Sequence, residues 1–168
     1  MRGKPVIETI KAHILERIKS VSVHDQPFPY FIVDKVFPKE AYLDLLNNIP
    51  DDEEFVSSDE CRFGLELNAE GLARLEKKKR AYWQGVCDWL LTDEFLFDVT
   101  TLFYTHLKMR FFGKEEIALK SSASLGRTKT GFILGPHTDL PHRVVTLLFY
   151  LPETDNYSEA GTSVYKSR

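Results

Sequence analysis

Residues 130–152 read TGFILGPHTDLPHRVVTLLFYLP, and the architecture of the chain turns on how this run is understood. Residues 132–134 are short and apolar, and residues 143–151 are almost continuous in Val, Leu, Phe and Tyr, so both are predicted to be strands. Between them, Gly135-Pro136 and Pro141 punctuate a strand end and a turn. His137 and Asp139 lie one residue apart inside that punctuation. In extended backbone, side chains two residues apart leave the same face, so an imidazole nitrogen and a carboxylate oxygen can reach one small ion together. On the residues alone, a strand-end histidine hydrogen-bonded to a turn aspartate is the commoner outcome of such a pair.

Working outward, the texture before residue 113 is helical. Ile7, Ile10, Ile14, Ile18 and Val21 recur at three- and four-residue intervals among Lys, Glu and Arg, which predicts an amphipathic helix. Pro27 and Pro29 break that geometry, and residues 30–36 (YFIVDKV) are predicted to be a strand. Pro38 suits the first turn of a second helix, which Pro50 stops. The acidic run at residues 51–60 reads as an exposed loop, and residues 62–67 as a strand. A long helical region is expected from Leu72 through Leu90, with Thr92 capping another whose first turn holds Asp93 and Glu94. His106 falls on the face of that later helical stretch and is expected to pack there, not to ligate. Residues 117–125 and 162–166 complete the strands.

Helices first and strands later make the class α+β, one domain over residues 1–168, with residues 1–112 a mainly helical front and residues 113–168 a β-structure covered by it. A formal charge of -3 excludes a strong electrostatic preference for polyanions, and the basic run at residues 77–80 reads as a solvated helix face, so no nucleic acid is expected. No apolar stretch is long enough for a membrane span, and the charged N-terminus does not resemble a signal peptide, so a cytoplasmic protein is expected. Cys61 and Cys87 lack CxxC spacing and read as idle thiols in a reducing compartment.

The stretch from Leu125 to Tyr165, LGRTKTGFILGPHTDLPHRVVTLLFYLPETDNYSEAGTSVY, resembles the first half of the catalytic core of Fe(II)/2-oxoglutarate-dependent oxygenases of the prolyl-hydroxylase-like branch. A glycine-rich approach to His-x-Asp, a strongly apolar strand through Tyr150, a loop, and the G-T-x-x-Y pattern at residues 161–165 follow in that family's order. The upstream run YFIVDKVFPKEAYLDLL, residues 30–46, resembles the strand-to-helix front of such enzymes. The resemblance implies a double-stranded β-helix, or jelly-roll, and a hydroxylase acting on a small-molecule or peptidyl substrate. It makes His137 and Asp139 the first two iron ligands, with 2-oxoglutarate as cosubstrate. Arg127, ten residues before His137, and Tyr150, at the end of the apolar strand, become the cosubstrate-binding candidates. His142 reads as a rim residue.

The family's distal histidine and the basic residue that follows it have no counterpart within residues 1–168, and about eight strands are needed to close such a β-helix. The expectation is therefore an incomplete core with weak iron binding, little turnover by itself, and exposed strand edges prone to self-association. Two other classes remain open: a non-catalytic β-rich interaction module, and a cupin-like metal protein.

Overall fold

A computed structural model of the chain describes residues 4–154 and 161–165, with side chains from residue 9 onward. Six α-helices are described: α1 (Lys4–Lys19), α2 (Lys39–Leu46), α3 (Ala69–Arg74), α4 (Lys77–Leu90), α5 (Asp93–Leu102) and α6 (Tyr104–Arg110). A 3-10 turn covers Asp52–Glu54, and three strands, β1 (Val56–Ser57), β2 (Arg62–Glu66) and β3 (Ser124–Thr128), form one antiparallel sheet in the order β1-β2-β3. The class is α+β.

The apolar spacing of α1 acts as expected. Ile14 and Ile18 are fully or almost fully buried against Trp89, Phe95 and Val99, and Trp89 meets Phe95 edge-on with ring centroids 5.6 Å apart. A second core gathers Leu45, Phe55, Leu65, Leu67, Leu72, Leu75, Trp83 and Cys87 between α2, the sheet and α3. Helix α4 joins the two, because Trp83 and Cys87 face one core, Trp89 faces the other, and Val86 touches both. Buried Trp83 donates its Nε1–H to the Asn48 carbonyl at 2.7 Å, so the largest ring in that core carries no unpaired polar atom. Burial pushes the Cys87 thiol up, with Asp88 adding to it, which agrees with an idle thiol.

The single helix expected from Leu72 to Leu90 is two helices broken at Leu75-Glu76. The break turns Leu75 into the core, and the Arg80 guanidinium then donates to the carbonyls of Ala73 and Leu75 at 2.8 and 2.9 Å, satisfying groups that the end of α3 orphans. Nor is the basic run at residues 77–80 simply solvated. Lys79 is only 9% exposed, and its ammonium contacts Asp51 at 2.6 Å and Glu54 at 3.3 Å. Glu54 also accepts the backbone N–H of Asp51 at 2.8 Å and of Glu76 at 3.0 Å. The acidic loop is thereby clasped to the first turn of α4.

Residues 30–36 and 143–151 differ more from expectation. At residues 30–36 only Tyr30 pairs, in an isolated bridge to His24, and a turn follows at residues 34–35, where Lys35 has φ 51°. No strand is assigned among the described residues after Thr128. Phe31, Val33, Val36, Val145 and Leu147 instead pack on the helical core. Their alternation reflects one side resting on hydrocarbon, which an extended chain achieves with or without a ladder partner. The expected strand at residues 162–166 is likewise not assigned as far as Tyr165, and Lys166 lies outside the described residues.

Two predictions test this packing. A Cβ on Gly71 would lie 1.8 Å from the Glu66 carbonyl oxygen, whereas one on Gly64 would meet nothing within 4 Å. In urea unfolding, Gly71→Ala is expected to cost about 1–3 kcal/mol, and Gly64→Ala less than about 1 kcal/mol. For the clasp, burial alone would push the Glu54 carboxyl up, but the Asp51 and Glu76 N–H groups and the Lys79 ammonium outweigh it and hold the carboxyl below its usual range. The stability it contributes is full above the ordinary glutamate pKa and is lost as pH falls through the depressed value. Glu54→Gln is expected to cost about 1.5–3 kcal/mol at neutral pH and to flatten the acid side of the stability profile.

Candidate metal centre

The approach to His137 is built by local turns. Gly131, at φ 91°, takes a left-handed conformation that other residues enter at a cost, and it lets Phe132 N–H reach the Lys129 carbonyl at 3.1 Å. The Lys129 N–H is held in turn by the Cys61 carbonyl just before the start of β2, at 2.9 Å. Beyond Asp139, residues 140–143 close a turn through Arg143 N–H to the Leu140 carbonyl at 2.8 Å, and Arg110 at the end of α6 donates to the Pro141 carbonyl at 2.7 Å. The HTD segment is therefore anchored on both sides while remaining exposed itself.

His137 directs Nδ1 at the Gly135 carbonyl, 2.9 Å away. A carbonyl only accepts, so Nδ1 carries the proton, and in the neutral ring the lone pair is on Nε2. Asp139 accepts the Thr146 hydroxyl on Oδ2 at 2.6 Å and faces Arg143 across 3.7 Å at Oδ1. Among the described residues no hydrogen bond or ion pair joins His137 to Asp139, so the two are not a closed imidazole–carboxylate pair. Each has instead its own partners, the Gly135 carbonyl for His137 and Thr146 with the more distant Arg143 for Asp139, and such outer contacts can orient a ligand. Two such donors suit Fe(II), Mn(II) or Zn(II) without choosing among them. No group of three or more His, Cys, Asp or Glu placed to hold one ion occurs among the described residues.

Arg127 and Tyr150 are engaged elsewhere. Arg127, on β3, makes a close ion pair with Asp52, and both line a shallow cavity of about 50 Å³ with Phe55, Phe63 and Lys129, apart from the histidine and aspartate. Tyr150 shares a short hydroxyl–hydroxyl hydrogen bond with Thr162, tying the Gly-Thr segment back to the apolar run. His142 is exposed in the turn at residues 140–143. His106 lies half-buried on α6, separate from α5 and without buried residues, and contacts Asp25 at 3.1 Å through Nε2, a polar contact in place of the packing expected on the buried side of the preceding helix.

Thr146 is the participant that sequence reading overlooked. Its signal was the single threonine in the run VVTLLFYL, where every neighbour is apolar or aromatic. Comparison with protein-family models, with curated proteins and with solved structures returned no match to this chain.

Because His137 is exposed and bonds only to a neighbouring turn carbonyl, His137→Ala is expected to change the unfolding free energy by less than about 0.5 kcal/mol, measured by thermal or urea melts.

Proposed function

We propose that this chain carries two ligands of the iron site of an Fe(II)/2-oxoglutarate-dependent oxygenase, a hydroxylase built on a double-stranded β-helix and acting in the cytoplasm on a small-molecule or peptidyl substrate. The observation that carries the reading is the state of the His-x-Asp pair: both side chains are exposed, each is oriented by its own partner, and neither is bonded to the other. The Gly135 carbonyl presents His137 Nε2 outward, and Thr146 holds one oxygen of Asp139. When bound, iron would activate dioxygen as the oxidant, one oxygen atom going to the hydroxylated C–H bond and the other to 2-oxoglutarate, which leaves as succinate and carbon dioxide. The chain's share is to fix the ligands and their spacing.

A second reading, a non-catalytic β-rich interaction module, has its own support. Arg127 is paired with Asp52 and Tyr150 with Thr162, so the cosubstrate-binding pair implied by resemblance is already engaged.

Anaerobic Fe(II) titration and succinate release from 2-oxoglutarate separate the two. The oxygenase reading expects weak metal binding that falls at least tenfold, roughly, in His137→Ala and in Asp139→Ala, and about tenfold in Thr146→Val. It also expects slow succinate release that His137→Ala abolishes. Metal binding indifferent to all three substitutions, or binding with no succinate formed, would remove it in favour of the module.

A further inference from the structure

Residues 144–151 make no backbone hydrogen bond to any described residue, although their side chains alternate with the period of a strand. Val145 and Leu147 pack on the core of α1 and α5, Phe149 lies 5.6 Å from Phe37, and Leu151 packs beside the other core. Thr146, Leu148 and Tyr150 point away; Leu148 is 62% and Tyr150 55% exposed. The run is thus anchored on one side by hydrocarbon and offers regularly spaced N–H and C=O groups along its edges. Only another extended backbone matches that spacing.

The structure assigns this edge as an interface between two copies of the chain, each contributing residues 145–151 to an antiparallel pair about a twofold axis at Leu148. Charge selects the occupant and the register. The run from Val144 to Leu151 has no charged residue, no proline and no glycine, so it has none of the devices that keep like strands apart. Centred on Leu148, the pairing sets Thr146 opposite the second copy's Tyr150. At each end it sets Arg143 opposite the second copy's Glu153, placing opposite charges across the strands twice over. Both Arg143 and Glu153 are exposed, and Arg143 has within its own chain only the long 3.7 Å contact with Asp139, which it exchanges for the shorter pair across the interface. Because the pair is isologous, the contact closes at two chains and does not propagate along that edge.

Sedimentation equilibrium on the wild-type chain, with amide hydrogen exchange read by mass spectrometry, tests the assignment without metal or cosubstrate, so its outcome is independent of the oxygenase reading. The expected result is a monomer–dimer equilibrium in which dimer formation slows exchange in residues 145–151. Leu148→Lys, at an exposed position, and Glu153→Arg, which puts arginine opposite arginine, are each expected to weaken the dimer about tenfold while leaving in place the thermal melt measured at concentrations where the chain is monomeric. Arg143→Glu combined with Glu153→Arg restores the opposite charges and is expected to recover the dimer. A chain that stays monomeric at every concentration, a dimer that leaves residues 145–151 unprotected, or a dimer indifferent to Glu153→Arg overturns the proposal.

Discussion

The carboxylate of Glu54 holds together two parts of the chain that are distant in sequence, residues 51–54 and residues 76–79. It accepts from the backbone before the 3-10 turn, from the backbone at the start of α4 and from the Lys79 ammonium. Burial by itself would lower the pKa of Lys79, yet its bonds to Asp51 and Glu54 more than offset this, and the net direction is upward. A buried cation is tolerable only with such partners. The consequence reaches past the clasp: with the acidic loop fixed on α4, Phe55 enters the core, and β1 and β2 are launched in the register that receives β3. From β3 the chain continues into the turns that set His137 and Asp139.

The two cores divide the labour. One, around Ile14, Ile18, Trp89 and Phe95, is almost wholly helical; the other closes α2, α3 and the sheet over Trp83. Helix α4 belongs to both, so the helical front and the sheet are packed on a single helix. Ion pairs on the outside, Lys11 with Glu94 and Lys19 with Asp98, join α1 to α5 and contribute little beside the apolar burial.

The candidate site is a surface feature on this frame. Its two ligand-type side chains are oriented by a turn carbonyl and a strand-period hydroxyl, so they retain definite directions without being buried. The adjoining apolar run is likewise half satisfied: its side chains find hydrocarbon, and its backbone finds no partner among the described residues. A donor pair and an unpaired edge lie within fifteen residues of one another.

Local chemistry by itself determined much that is seen here. The spacing of Ile10, Ile14 and Ile18 dictated a helix and its buried face, Thr92 dictated where α5 begins by accepting the Phe95 N–H, and Gly131 and Pro141 marked the turns around the histidine and aspartate. Three matters were decided only in three dimensions. Lys79 became an internal cation because acids twenty-five and twenty-eight residues upstream came to meet it. The helix expected through Leu75 broke because Leu75 gains more by burial than the helix gains by continuing, and Arg80 compensates the severed end. Residues 30–36 and 143–151 have the composition of strands but no assigned ladder, since alternation reports which side meets hydrocarbon while pairing requires a second backbone alongside.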